Sequence, residues 1–345
     1  MATSGVVVNQ RVSLPDTSKA KMKTRLVYIL AASHSGSTLL ASLLSNHPMV
    51  CTAGELKLNA LGEVQKYRCS CRALIERCPF WLGICEDMAR RGFSFSVGNA
   101  GTDLASDATP YVRFLLRPLH RGLVLEWLRE TALALSPQWR VQLPQIQARN
   151  AALAACISAR AGKPIVVDSS KLALRLKYLA RNPGLDVRAI RLIRDGRGVA
   201  LTYTDPARFA DAQDPTLRGG GTGSELSSER VSFADAAWEW RRSTEEAEAV
   251  LSTLPQDRWT VVRYEDLCTR PIGVLHSLFG FIGVDADLGL MLQPSDQQHI
   301  VGNGMRFDTM RDVVLDERWK SLLKTQELQT FDSIAGQLSR RLGYT

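Results

Sequence analysis

A chain of 345 residues, 45% hydrophobic and 23% charged, has ordinary globular composition and can bury a sizeable core, as one large α/β domain with insertions or as two domains. A net charge of +8 suits anionic ligands, but the basic residues are scattered and no aromatics interleave with them, which argues against a nucleic-acid platform. No apolar run reaches the roughly 18 residues of a membrane span, and the first 24 residues lack the apolar segment of a secretory signal, so residues 1–24 are expected to be a disordered tail and the protein cytoplasmic.

The first ordered stretch, Leu26 to Leu44, organises the rest. Leu26–Ala32 is a buried-strand run. Ser33-His34-Ser35-Gly36-Ser37-Thr38 is a turn of mostly small residues, and Leu39, Leu40, Leu43 and Leu44 then fall at helical spacing. Such a turn collects unpaired N–H groups at the positive end of a helix, with three hydroxyls (Ser35, Ser37, Thr38) as further donors, and so favours an anion. The alternative is an ordinary strand–turn–helix corner. The nucleotide loop G-x-x-x-x-G-K-[ST] is not met, because no Lys follows Gly36.

Asn46-His47-Pro48 ends that helix, and Met49–Ala53 is a second strand delivering Gly54-Glu55. Leu56–Tyr67 and Glu76–Arg91 read as helices, and Phe93–Asp107 as a loop. Ala108–Arg160 reads as mostly helical with breaks at Pro118, Pro137 and Pro144. Within it Leu123, Val124, Trp127, Leu128, Thr131, Ala132 and Leu135 form one face, expected to pack in the core, with a membrane-surface or acceptor-gripping role as the alternative.

Pro164–Val167 is a third strand, ending in Asp168-Ser169-Ser170-Lys171, with helix Leu172–Ala180 behind it. Val187–Ile193 is a fourth, running into Arg194-Asp195-Gly196-Arg197 and helix Val199–Tyr203. Strand, polar turn and helix recur three times, the pattern of a doubly wound sheet. Thr204–Glu229, rich in Gly, Asp and Ser, reads as a mobile loop. A helix Ser232–Leu254, a fifth strand Trp259–Val262, a helix Ile272–Ile282, an irregular Ser295–Arg311 and a closing helix Gln326–Leu342 follow.

Of seven cysteines, Cys69, Cys71, Cys78 and Cys85 lie close together. Their spacing, C-x-C and then two gaps of six, departs from paired C-x-x-C zinc sites and favours packed reduced thiols or a local disulfide over a metal.

Three motifs together resemble the sulfotransferase superfamily, which uses 3′-phosphoadenosine 5′-phosphosulfate (PAPS), and most closely its bacterial, tyrosylprotein and carbohydrate branch. Ser35-Gly36-Ser37-Thr38-x-Leu40 is similar to the family's 5′-phosphosulfate loop. Arg194, with Thr202 eight residues later, resembles its 3′-phosphate motif. Asn46-His47-Pro48 with Gly54-Glu55 resembles the segment whose Glu is the base. Val262–Leu267 matches a recurrent late strand, and Gly302–Arg306, with Asn303, the basic loop that caps the nucleotide.

The resemblance implies a P-loop-type doubly wound sheet of mainly parallel strands flanked by helices. It also implies one domain at 25–345, with a helical insertion at about 93–160 and a mobile loop at about 204–229. It implies sulfuryl transfer from PAPS to an acceptor hydroxyl on a glycan, lipid or small metabolite, with no metal required. His34, Ser35, Gly36, Ser37, Thr38, Arg194, Thr202, Asn303 and Arg306 would bind the donor, and Glu55, His34 and Lys171 would serve the chemistry.

Arg194 offers a fork of donors to a phosphate, or else pairs with Asp195 or Glu265. Glu55 suits proton removal from the acceptor, or else complements a helix dipole. Lys171 neutralises developing charge, or is a surface lysine. Many family members carry Lys or Arg at the position of His34; a protonated His34 would act as the acid, and the rate would then fall as pH rises through its pKa. Two other readings are a P-loop kinase or NTPase, which lacks its loop Lys here, and an inactive PAPS-binding homologue.

Overall fold

The computed structural model describes residues 23–59, 61–117, 122–210, 212, 214, 217, 231–289, 298–307 and 313–345. The expected tail falls almost wholly outside these, as do Pro118 and most of the expected loop 204–229.

Five strands, β1 (Thr24–Ala31), β2 (Val50–Thr52), β3 (Ile165–Lys171), β4 (Leu185–Ile193) and β5 (Trp259–Arg263), form one sheet in the order β2-β3-β1-β4-β5. Every pairing is parallel, with Val27 opposite both Val167 and Arg188 at the centre. The helices are α1 (Ser37–Leu44), α2 (Pro79–Arg90), α3 (Pro110–Leu115), α4 (Gly122–Leu135), α5 (Pro137–Ala161), α6 (Ala173–Ala180) and α7 (Gly196–Thr204), then α8 (Pro206–Phe209), α9 (Phe233–Leu251), α10 (Tyr264–Thr269), α11 (Pro271–Ile282), α12 (Trp319–Leu322) and α13 (Thr325–Arg341). The α/β class read from the sequence is therefore observed. None of these helices is long and apolar enough to cross a membrane.

β1 is covered on both faces, which is why it reads as a continuous apolar run. Leu26, Tyr28 and Leu30 join a core with α2, α5 and α6; Val27, Ile29 and Ala31 join a second core with α1 and α11. α1 buries Leu39, Leu40, Leu43 and Leu44. At about 1.5–3 kcal/mol per fully buried side chain, that burial outweighs the roughly 1–3 kcal/mol of strain that a left-handed residue stores in the turn before it.

Five expectations are corrected, four of them in the backbone. Leu56–Tyr67 is not helical: the Leu56 and Lys57 N–H groups donate to the Asp168 and Ser170 side chains, and Leu58 and Gly62 take positive φ. β3 does not stop at Val167 but runs on through its polar end, because Asp168, Ser169 and Ser170 are buried and Asp168 is partnered. Pro144 does not break α5; it lies on the exposed side, where water can take the carbonyl its missing N–H leaves free. Finally, β5 ends at Arg263 and Tyr264 opens α10, so the late motif is half strand and half helix.

The apolar face of α4 points outward rather than into the core: Val124 is 72% exposed, Trp127 65% and Leu135 74%. The helix instead buries Arg129 and Leu133, and its carboxylates face α6. There Glu126 and Glu130 pair with Lys177 at 2.8 and 2.9 Å, and Glu130 with Arg181 at 3.0 Å. Lys177, which is buried, cannot enter an apolar interface unpaired, and its pairing turns the helix over.

Candidate functional site

All five strands deliver chemistry to the same edge. In an open parallel sheet the carboxyl ends face a crevice where the strand order reverses. β1 ends in the Ser33–Thr38 turn, β2 in Gly54-Glu55, β3 in Lys171, β4 in Arg194 and β5 in Tyr264.

The turn after β1 is tight. His34 has φ 62° and Gly36 has φ 90°. Gly36 is required twice over: the left-handed backbone disfavours a side chain, and a Cβ there would sit 2.6 Å from Cδ2 of the Tyr264 ring. As N-cap of α1 it has no side chain to satisfy the first-turn N–H groups, so they are left for a ligand. Ser35 is buried, and its hydroxyl has no hydrogen-bond partner among the described residues. A buried unpaired hydroxyl costs stability unless something fills it, and here it lines a small cavity shared with Arg194. Thr38 Oγ1 lies 3.3 Å from Asn303 Oδ1. The residues thus fit an oxyanion group.

Glu55, beside the turn, is buried and forms an ion pair with Lys171, while Lys57 Nζ lies 3.8 Å from its other oxygen. Burial alone would raise the Glu55 carboxyl; Lys171 and Lys57 outweigh it and hold the group below its ordinary value, as a carboxylate. Lys171 reaches Glu55 from a left-handed backbone, φ 72°. Asp168, fully buried, supports the pair: it pairs with Arg175 at 3.1 Å and accepts the Leu56 N–H at 3.1 Å, pinning the chain just after Glu55. Glu55 N–H donates to the Val301 carbonyl at 3.1 Å.

A protonated His34, the condition for it to act as the acid, is opposed by the protein's own groups. Burial, then Lys171 and Arg194, push its imidazole down to about 3. The His34 ring stands perpendicular to that of Tyr203, with centroids 4.7 Å apart, and Lys171 and Arg194 are the cations beside it.

Arg194 is buried against the Tyr264 ring, 4.4 Å from its centroid. It donates to the His34 carbonyl at 2.8 Å and to the Asp316 carboxylate at 2.8 Å. It pairs neither with Asp195, which caps α7 and holds Arg197, nor with Glu265, which accepts from the Asp195 N–H and the Tyr344 hydroxyl. Thr202 is buried in α7 with its hydroxyl on the Gly198 carbonyl at 3.0 Å. Arg306 reaches the edge of the site, but its guanidinium donates to the carbonyls of Arg68, Gly302 and Asn303. His47 is fully buried: its Nδ1 accepts the Met49 N–H and its Nε2 donates to the Asp285 carbonyl. Asn46-His47-Pro48 therefore ends α1 and does not itself enter the site.

The structure thus brings His34–Thr38, Glu55, Lys171, Arg194 and Asn303 to one edge. Sequence reasoning missed Asp316, which has no local pattern to mark it, and Lys57, hidden by the expected helix. It also missed the role of Tyr264 beneath Gly36, which no local pattern marks.

No family model matches the chain. Carbohydrate sulfotransferase 5 of Mus musculus is 29% identical over 175 residues, covering 48% of this chain and 44% of that protein. Carbohydrate sulfotransferase 1 of Homo sapiens is 22% identical over 172 residues, covering 49% of this chain and 41% of that protein. The chain spans less than half the length of these curated relatives. Among solved structures, the sulfotransferase domain from the curacin biosynthetic pathway aligns with a TM-score of 0.48 at 19% identity, over 93% of this chain and 98% of that one. The similarity to carbohydrate sulfotransferases supports the superfamily resemblance carried by the turn, the Arg194 motif and Gly54-Glu55.

Proposed function

We propose that the protein is a sulfotransferase that moves a sulfuryl group from PAPS to an acceptor hydroxyl. The observation that carries this reading is Ser35: a buried hydroxyl with no hydrogen-bond partner among the described residues, at a helix N-terminus whose cap has no side chain. Ser35, Gly36, Ser37 and Thr38 would hold the 5′-phosphosulfate. Arg194 and Thr202 would hold the 3′-phosphate, with His34, Asn303 and Arg306 at the margins. PAPS supplies a sulfuryl group already activated by its anhydride link to a phosphate.

The protein's own residues would supply the rest. The N–H groups and hydroxyls of the turn align the group and stabilise charge on its oxygens. Glu55, ionised and just beyond the carboxyl end of β2, would accept the acceptor's proton. Lys171 holds Glu55 in the resting site; drawn toward an arriving anion, it would leave Glu55 a stronger base. Lys171 and Arg194 supply the positive charge, so the reading calls for no metal in the chemistry. The relatives' names make a sugar hydroxyl the first acceptor class to test.

Calorimetric titration with 3′-phosphoadenosine 5′-phosphate (PAP), without metal and against AMP and ATP, tests the donor site. Binding that demands the 3′-phosphate and weakens on the order of 100-fold in Arg194→Ala is expected, from the loss of charge-assisted hydrogen bonds. Sulfate transfer to a sugar panel, lost in Glu55→Gln, tests the reaction. Preference for ATP with Mg²⁺ would overturn the reading.

A further inference from the structure

The cysteine segment converges on a residue that no local spacing marks. Cys69, Cys71 and Cys78 meet His299, not Cys85, and one ligand atom from each lies within 4.8 Å of all the others. Cys71 Sγ is 3.6 Å from Cys78 Sγ; His299 Nδ1 is 3.4 Å from Cys78 Sγ and 3.8 Å from Cys69 Sγ. A tetrahedral zinc ion with Zn–S of about 2.3 Å and Zn–N of about 2.0–2.1 Å has S···S edges of about 3.8 Å and S···N edges of about 3.6 Å. These three spacings each lie within about 0.2 Å of those edges. All seven cysteines are free thiols in this structure.

We infer that Cys69, Cys71, Cys78 and His299 form a structural zinc site that clamps residues 298–307 against the carboxyl end of β2.

The backbone is built to hold these ligands. Arg72 takes φ 68° and its N–H returns to the Cys69 carbonyl at 2.8 Å, so the chain reverses just after the C-x-C pair. Ser70, between the two cysteines, is bonded on both sides of His299. Its hydroxyl donates to the Gln298 carbonyl at 2.6 Å and accepts the Ile300 N–H at 2.8 Å, and its own N–H donates to the Ile300 carbonyl at 3.2 Å. Cys78 caps α2, and Phe80 in that helix stacks on the His299 ring at 4.7 Å and 5°. His299 is thus oriented from both its backbone flanks and its ring face. Three thiols and an imidazole select zinc over hard cations, and four protein ligands leave no open position, so the ion would serve structure rather than chemistry.

The clamp acts on the candidate active site through the residues just beyond His299. Val301 takes the Glu55 N–H and donates to the Ala53 carbonyl; Gly302 is bonded at both N–H and carbonyl by the Tyr67 hydroxyl; Asn303 meets Thr38. This inference does not rest on the sulfotransferase reading: a zinc-holding protein that binds no PAP would overturn that reading alone.

The test is metal analysis of the full chain, purified with reductant and without chelator, its affinity tag removed. One zinc per chain is expected, released stoichiometrically when a mercurial reagent blocks the thiols, a readout that needs no variant to fold. Exchange with Co²⁺ should give thiolate-to-cobalt charge-transfer bands and the strong visible bands of tetrahedral cobalt. His299→Ala and Cys71→Ser should each lower zinc retention at least tenfold against a chelating dye, and Cys85→Ser should keep it. A folded wild-type protein holding no zinc and taking up no Co²⁺, a disulfide among Cys69, Cys71 and Cys78 in protein purified with reductant, or loss of zinc in Cys85→Ser would overturn the assignment.

Discussion

Lys171 donates to Glu55 across the gap between the ends of β3 and β2, with both side chains almost wholly buried. The pair keeps the proposed base ionised but masked. Removing the cation leaves burial opposed chiefly by Lys57, so the Glu55 pKa must rise. The acid limb of kcat/KM, which needs the carboxylate, should therefore move to higher pH in Lys171→Met. It should stay closer to wild type in Lys171→Arg. A pH profile with an unmoved acid limb in Lys171→Met would show that Glu55 is not the base or that Lys171 does not control it.

His34 carries a stability signature of its own. Its folded pKa, about 3, lies below the ordinary value of 6.5. Between those values the unfolded chain takes up a proton that the folded chain refuses, so stability falls as pH drops through that window. Linkage sets the limit at about 2 kcal/mol between pH 7 and pH 5. Urea unfolding at the two pH values should show that much of the acid loss removed in His34→Gln. Equal loss in both proteins would mean that the imidazole titrates normally.

Asp316 pairs with Arg194, and its own carboxyl is held far below the usual range although burial opposes this, with Arg318 and Arg194 as the partners. It is an internal competitor for the group that would hold the 3′-phosphate. Asp316→Asn keeps the shape and removes the charge. PAP affinity should rise several-fold, a change of about 1 kcal/mol. A fall in affinity would make Asp316 an orienting partner for Arg194 instead.

Gly36→Ala tests the turn. The new Cβ meets the Tyr264 ring at 2.6 Å on a backbone with φ 90°. Dihedral strain alone costs about 1–3 kcal/mol, and the clash adds to it. In a Tyr264→Ala background the clash vanishes and only the dihedral cost should remain, which thermal unfolding of the four proteins of the cycle would resolve. An equal cost in both backgrounds would show that the ring moves aside freely.

The five strand runs, the turn Ser33–Thr38 and the termini of α9, α11 and α13 were legible because each is written in neighbouring residues. The same logic misled at Leu56–Tyr67, where apolar spacing suggested a helix but Asp168 and Ser170 take the N–H groups that a helix would use. It misled again on α4, where a helical apolar stripe is real but faces outward, because Lys177 and Arg181 draw the opposite, charged face in.

Sequence by itself determined the alternating strands and helices, the small-residue turn after β1 and the placement of Glu55, Lys171 and Arg194 at strand ends, since hydrophobic period and turn chemistry act over a few residues. Tertiary structure alone decided that Lys171 masks Glu55 from 116 positions away, that Asp316 holds Arg194 from 122, and that His299 completes a cysteine triad from 230. The physical reason is that such contacts follow from strand order and burial, where a charge or a thiol finds whichever partner the packed sheet brings within reach.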